Sequence, residues 1–374
     1  MFIQYKYDVF FSLTINMRTL QDQEALRKML KEIGDASTGQ WIKQGRNYVN
    51  KYGIKPDMIA QSLEEAIDFC FPNNVFTDPL NNAENAAENG LLCPTNDEVD
   101  DINDFSIRKM YGNLHEVASF NIPLEPRDNH HDFRAGFNIE SIQNEKPSGM
   151  PPHILKLKAS LHCSSKNTSF QIGAPVMLIR NLDLSQGLCN GTRMQVLKIT
   201  ENTLVCRILS GPRADAKLTY MIPKVKFEYG NAAHHRGIRF QRIQFPVRPC
   251  FAMTINKVIY FLPSISNNFQ AQGQTLKKMA LVLNRKQCFS HGQVYVAMSR
   301  VTKMKGIRVF SPQTCKGDTN YIHNIVWHEL HDGAARPQLQ PEPQLEMEPQ
   351  RSESPVMRRL ELEDEDSDNV DYFD

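Results

Sequence analysis

The run Gly90-Leu91-Leu92-Cys93-Pro94-Thr95-Asn96 decides the fold class. A short apolar strand leads straight into Thr95 and Asn96, whose side-chain oxygens suit the N-cap of a helix, so a helix is expected over residues 97–103. A buried strand feeding a capped helix start is the grammar of an α/β domain that handles nucleotides or nucleic acids. The same grammar returns near the other end of the chain. There a strand over Met279–Leu283, a helix around Ser290–Ser299 and a strand over Ile307–Phe310 follow one another.

Upstream, Ala25, Leu26, Met29, Leu30 and Ile33 recur at helical spacing, and Gly34 is the expected stop. A second helix is expected from Ser62. Glu65, three residues on, completes a capping box, Leu63, Ala66, Ile67 and Cys70 form the apolar stripe, and Pro72 closes it. Between these α/β stretches lies a different texture. Pro175–Ile179, Met194–Ile199, Leu204–Ile208, Leu218–Ile222 and Gly237–Phe245 are short β-rich runs, separated by turns such as Asn190-Gly191. They predict a small β-barrel inserted into the α/β domain.

Composition narrows the class. The chain has 374 residues, 41% of them hydrophobic, enough for about two domains with a real core. No apolar run approaches the roughly 20 residues that span a bilayer, and the first residues lack the pattern of a signal peptide. A soluble intracellular protein is the expectation. The eight cysteines stand singly, without metal-ligand spacing, and are expected to be reduced structural thiols. The net charge of +1 conceals polarity. From Glu342 onward twelve Asp/Glu face three Arg, a net of −9, which leaves +10 on residues 1–341. A basic body suits a polyanion partner, although ordinary solvated charge explains the same numbers. From about Ala334 the chain turns Pro/Gln/Glu-rich and then acidic, and a disordered tail is expected.

The most specific signals lie between Gln244 and Val301. They are QFPVRPCFAMTINK (Gln244–Lys257), AQGQTL (Ala271–Leu276) and HGQVYVAMSRV (His291–Val301). In that order they resemble motifs V and VI of Pif-one-type (Pif1) DNA helicases of superfamily one, a group that includes the helicases of Helitron transposons. LTINMR (Leu13–Arg18), LLCPTNDEVDDIN (Leu91–Asn103), SGMPPHILKLK (Ser148–Lys158), GAPVMLIRNLD (Gly173–Asp183) and GLCNGTRM (Gly187–Met194) resemble further segments of that family, so that the likeness extends over most of residues 11–330.

The resemblance implies a second RecA-like (P-loop-type) α/β domain with an SH3-like β insertion. Residues 1–132 and 249–330 would be its two parts, 133–248 a 2B region, and 331–374 the acidic tail. It implies ATP-dependent unwinding of DNA with 5′-to-3′ polarity, in the service of repair, recombination or telomere maintenance, and nuclear rather than mitochondrial residence. Arg300 would be the arginine finger and Arg18 a second phosphate sensor, with Gln293 beside Arg300 at the nucleotide. A guanidinium there offsets charge on the phosphoryl oxygens. Thr254, Lys257, Gln272, Gly273 and Gln274 would touch the backbone of single-stranded DNA, and Thr95 and Asn96 likewise. Read without the family, Arg300 and Arg18 are solvated arginines and Thr95-Asn96 is a plain cap. Phe240 and Phe245, interleaved with Arg239, Arg242 and Arg248, could stack bases, but at strand spacing they fit a barrel core better.

Two features set this sequence apart from the family pattern. ATP and magnesium need a G-x-x-x-x-G-K-[ST] loop and an acidic pair. The nearest match, Gly34-Asp35-Ala36-Ser37-Thr38-Gly39-Gln40, has Gln where Lys is required. The nucleotide is therefore expected to be held by the upstream half of the family, and this chain alone is not expected to hydrolyse ATP. Second, thirteen residues, Val258–Gln270, separate Lys257 from Ala271, where the family joins the two directly; Ala159–Gln171 is a comparable interruption. The first is compatible with a translated intron of 39 bases. A motif V that grips DNA from one tight turn would be loosened by it. The alternatives to a helicase part are a non-catalytic remnant that binds single-stranded DNA, and a decayed transposon product with no selected role.

Overall fold

Each strand of the α/β region turns alternate side chains to opposite faces, and each face finds a layer of helices. The computed structural model describes residues 2–4, 10–12, 23–44, 47–79, 82–124, 139–147, 149–159, 173–209, 214, 218–230, 239–255, 275–312 and 320–326. In chain order these form β1 (Phe2–Gln4), β2 (Phe10–Ser12), α1 (Glu24–Asp35), β3 (Gln40–Gln44), β4 (Asn47–Gly53), α2 (Leu63–Cys70), α3 (Asn73–Thr77), α4 (Ala83–Glu88), β5 (Asn89–Cys93) and α5 (Asn96–Lys109). There follow β6 (Asn113–Ala118), β7 (Phe120–Pro123), α6 (Ile139–Asn144), β8 (Ile154–Ala159), β9 (Pro175–Leu178), β10 (Arg193–Ile199), β11 (Thr203–Ile208), β12 (Tyr220–Pro223), β13 (Val225–Tyr229), β14 (Phe240–Gln244) and β15 (Val247–Pro249). The described part ends with β16 (Ala252–Thr254), β17 (Lys278–Val282), α7 (Gln293–Met298), β18 (Ile307–Phe310) and β19 (Tyr321–Asn324).

The central sheet runs β16-β5-β17-β18 and all its pairings are parallel. Leu92, Met253, Met279, Leu281, Ile307 and Val309 face one core, shared with Leu26, Leu30 and Ile33 of α1 and Val294 and Ala297 of α7. Leu91, Cys93, Ala252, Ala280, Val282 and Phe310 face the other, shared with Ala66 and Ile67 of α2 and Val99, Ile102 and Ile107 of α5. A parallel sheet must be covered on both faces, and it is. A mixed α/β architecture was thus legible in the apolar strands. The three-stranded sheet β19-β4-β3, antiparallel throughout, was not.

The β-rich part has its own core, built from Leu155, Leu157, Val176, Leu178, Met194, Val196, Leu204, Cys206, Phe245 and Val247 among others. Its largest sheet is β12-β11-β10-β9-β15, antiparallel along its length. β7 pairs with β14 and β6 with β8, so the chain joins these small sheets from residue 113 onward. Phe240 and Phe245 are fully buried. Base stacking by these two rings is excluded, and they are core as strand spacing suggested. The arginines interleaved with them are structural as well. Arg242 donates to the carbonyls of Ile142 and Pro151, at 2.8 and 3.0 Å, and Arg248 to that of Met150 at 2.6 Å.

Local endings correct the sequence reading in places. α1 does not stop at Gly34, which is helical. It ends at Ala36 in the left-handed conformation (φ 47°), whose N–H returns to the Glu32 carbonyl. Ser62 caps α2 as expected, accepting from the Glu65 N–H at 3.0 Å, and Glu65 reaches back to the Gln61 N–H at 2.7 Å. α5 runs to Lys109, beyond the expected end at Asn103, and α7 begins at Gln293, later than Ser290. Cys70, Cys93, Cys206, Cys250 and Cys288 are buried free thiols, as expected of a reduced chain. No described helix is long and apolar enough to cross a membrane. The expected acidic tail lies outside the described residues.

Candidate nucleic-acid interface

Ligands of parallel α/β sheets sit beyond the carboxyl ends of the strands, where helix N-termini also point. Here that edge is formed by Thr254, Cys93 and Val282. Thr254 is in register with Cys93, and the Ile255 N–H bonds the Cys93 carbonyl at 3.0 Å. Two residues beyond Cys93 the chain reaches Thr95, so Thr254 and the Thr95–Asn96 start of α5 lie at the same edge of the sheet. Thr95 occupies the N-cap position of α5, yet its side chain makes no capping hydrogen bond. A hydroxyl at this place normally serves the helix; this one is left to other partners. Thr95 is half-buried, Asn96 is exposed and Thr254 is 7% exposed.

The underside of this edge is held by a residue that the sequence reading passed over. Glu98, at the third position of α5, is 1% exposed, and its Oε1 accepts from the backbone N–H groups of Asn284 (2.6 Å) and Arg285 (3.0 Å). The loop after β17 is thereby tied to the start of α5. Arg285 adds an ion pair with Asp101. Burial lifts the Glu98 carboxyl above the usual range, and the two N–H groups and Arg285 pull it partly back. Its signal in the sequence was only an acidic residue in a helical first turn, a common feature with a common explanation in the helix dipole.

Arg300 follows α7 on the other side of the molecule's central sheet. Its N–H bonds the Ala297 carbonyl at 3.1 Å, and its carbonyl accepts from the Leu276 N–H at 2.7 Å. Leu276 also bridges in parallel to Val301. Leu276 lies just before β17, at the amino edge of the sheet, whereas Thr254 lies at the carboxyl edge. The side chain of Arg300 is 5% exposed, so a phosphate-sensing role rests on the motif and not on an open guanidinium. Gln293 is 1% exposed, and its Oε1 accepts from the N–H groups of Phe289 (3.0 Å) and Ser290 (3.3 Å). That oxygen is committed to shaping the turn before α7. These two residues do not make a phosphate cradle by themselves, and among the described residues no group of three or more His, Cys, Asp or Glu could hold a metal ion.

Arg18, Lys257, Gln272, Gly273 and Gln274 lie outside the described residues, as do most of the two thirteen-residue runs. Their flanks are still informative. The turn that would join Lys257 to Gln272 in motif V falls on residues outside the described ones. β16 and β17 are parallel with β5 between them. The chain must therefore travel from the carboxyl edge at Thr254 back to the amino edge at Lys278. Such a link is a crossover of the sheet.

The family described as DNA helicase Pif1, 2B domain, matches residues 143–199. The ATP-dependent DNA helicase PIF1 of Xenopus laevis is 32% identical over 163 residues, which is 42% of this chain and 22% of the relative. The human protein of that name is 29% identical over 171 residues, with the same shares of 42% and 22%. ATP-dependent DNA helicase Pif1 of Bdellovibrio bacteriovorus is 30% identical over 187 residues, 50% of this chain and 36% of the relative. The matched stretches thus span between about a fifth and a third of the relatives' length. Among solved structures, Pif1 helicase from Candida albicans is 20% identical, with a TM-score of 0.46, covering 79% of this chain and 55% of that one.

Proposed function

Since the chain is of the Pif1 helicase type, we propose that it supplies the DNA-gripping part of such an enzyme, holding single-stranded DNA without hydrolysing ATP on its own. The observation that carries this reading is the juxtaposition of Thr254, Thr95 and Asn96 at the carboxyl edge of the parallel sheet, with the Thr95 hydroxyl unused by its helix. Hydroxyl and amide groups suit phosphate oxygens, which accept hydrogen bonds whatever the base sequence. Relatives named ATP-dependent DNA helicase support the family context. Lys257 and Gln272–Gln274 complete the grip in this proposal, within a RecA-like domain of residues 1–132 and 249–330 that carries an SH3-like insertion at 133–248. Arg300 and Arg18 are proposed to serve a nucleotide held by residues that this sequence does not contain. Nuclear residence and an acidic, disordered tail belong to the same proposal.

The test is fluorescence anisotropy of a labelled oligothymidine titrated with the purified chain. Salt-sensitive binding is expected, and Thr95→Ala with Asn96→Ala should weaken it about tenfold, the loss of two solvent-accessible hydrogen bonds at about 0.7 kcal/mol each. ATP turnover should stay at background with and without DNA. Robust turnover by the chain alone, or wild-type affinity in the Thr95/Asn96 variant, would sink the reading.

A further inference from the structure

The sheet β19-β4-β3 has one face buried; on the other Val49 is also buried, whereas Tyr321, His323 and Lys51 reach the surface at its far end. Ile322, Asn324, Asn50 and Tyr52 are buried, and they anchor the sheet on α1: Asn324 donates to the Ile33 carbonyl at 2.8 Å, and the Tyr52 hydroxyl reaches Glu32 at 3.4 Å. Tyr321 and His323 alternate with that set and are half-exposed. The packing on α1 does not use them. Their rings are parallel within 4°, with centroids 6.2 Å apart, and the Lys51 ammonium stands 4.5 Å from the Tyr321 centroid. Lys51 is in register with His323 across the strands, and opposite Tyr321 the register places Gly53, which has no side chain to cover the ring. Burial, with Lys51 second, holds the His323 imidazole below its ordinary pKa and so keeps it a neutral ring at physiological pH.

The strands of this sheet and their immediate neighbours in sequence are one-sided in charge. Residues 36–56 contain no Asp or Glu, although the chain as a whole carries 42 acidic against 43 basic residues; they do contain Lys43, Arg46, Lys51 and Lys55. Residues 319–328 likewise contain no acid. Parallel aromatic rings on an antiparallel sheet, with a lysine ammonium over one of them, match the chemistry of an unpaired base and its phosphate.

We propose that the outer face of β19-β4-β3 is a second contact for single-stranded DNA, in which Tyr321 and His323 stack an unpaired base and Lys51 meets the adjoining phosphate. It rests on the reading of the chain as a single-strand-gripping protein and adds a site away from the Thr95–Thr254 edge. A strand that touches both places is held at two points along its length, which would extend the grip beyond what motif V provides.

The experiment uses the full chain and an oligothymidine carrying 5-iododeoxyuridine, photocrosslinked and mapped by mass spectrometry. An adduct on Tyr321 or His323 is expected. The Tyr321→Ala/His323→Ala variant should bind about tenfold more weakly, and Lys51→Gln should reduce the slope of log affinity against log salt by about 0.7. A Tyr321→Phe/His323→Phe variant keeps both rings and should keep the affinity, which separates stacking from loss of fold. The Thr95/Asn96 variant should retain the adduct at Tyr321. Adducts confined to the Thr95–Thr254 edge, together with unchanged affinity of the double alanine variant, would overturn the platform and leave the functional reading intact. Preferential crosslinking of an RNA of matching sequence would overturn DNA as the occupant, and no binding of any single strand would overturn both proposals.

Discussion

Glu98 shows how one side chain ties stability to the candidate site. Its Oε1 satisfies two backbone N–H groups of the loop after β17, while its Oε2 has no hydrogen-bond partner among the described residues. Burial is the largest influence and raises its pKa. A carboxyl whose native pKa lies above the unfolded value binds its proton more tightly in the fold. Its contribution is therefore most favourable below the unfolded value, near 4.5, and declines as the pH climbs through the native value. Denaturant unfolding of the wild type and of Glu98→Gln across pH 4 to 8 should show this. The stability of the wild type relative to the variant is expected to fall as pH rises and then level off. A relative stability that rises with pH would mean that the ionised carboxylate is favoured by its two N–H donors, against the sign argued here. Arg193 makes a contrast. Its guanidinium is fully buried with no ion pair to a carboxylate among the described residues, yet it donates to the carbonyls of Ala87 and Asn89, both at 2.7 Å. Those carbonyls close α4, where the helix dipole is negative, and a β-rich strand is thereby pinned beneath β5.

At the scale of elements, legibility followed apolar periodicity. The parallel strands were readable because both of their faces are buried, which leaves nearly continuous runs such as Leu91-Leu92-Cys93 and Met279–Leu283. The strands of the β-rich part were readable as alternating runs between turns. β3, β4 and β19 were missed because polar residues interrupt them. Asn50 and Asn324 are fully buried, and their side chains bond backbone carbonyls, a role that no hydropathy pattern announces. Thr95, Asn96 and Thr254 were legible only through the family motif, since a Thr before a helix reads as a cap. The two thirteen-residue runs looked alike in sequence, but their flanks differ. The Ala174 N–H bonds the Lys158 carbonyl at 3.0 Å, and a Cβ on Gly173 would stand 2.0 Å from that oxygen. The base of the Ala159–Gln171 run is closed. With those residues removed, Lys158, Ile172, Gly173 and Ala174 become four consecutive residues whose closing bond is that of a β-turn. Deleting residues 159–171 is therefore expected to leave the chain folded and to stabilise it by up to about 2 kcal/mol through the shorter loop. A melting temperature lowered by more than about 5 °C would show that the run carries structure of its own.

At the scale of the whole molecule, the second run poses a different problem because its ends lie far apart. Residues 255–277 link Thr254 to Lys278, a span of 23; without Val258–Gln270, 10 remain. A five-residue strand advances about 16 Å, and ten residues of helix rise about 15 Å. The shorter link is thus just long enough to return as a single taut helical crossover, which would fix Lys257 near Thr254 at the carboxyl edge and Gln272 nearer Leu276 and Arg300 at the amino edge. Such a link would couple the edge at Thr254, proposed to grip DNA, to the region of Arg300, proposed to sense phosphate, through one rigid element. A link of 23 residues is longer than the crossing requires, and a longer link need not hold its ends in one relative position, where a displacement of about 1 Å costs on the order of a hundredfold in rate. The consequence can be measured by fusing the chain to the nucleotide-binding half of a Pif1-type helicase and comparing two forms. With residues 258–270 removed, single-stranded DNA should stimulate ATP hydrolysis by tenfold or more. With them retained, the fusion should bind DNA with similar affinity while its ATPase responds little. Equal stimulation of the two forms would show that motif V does not transmit through the length of this crossover, and the coupling would then have to pass through the β5–α5 edge that Glu98 holds in place.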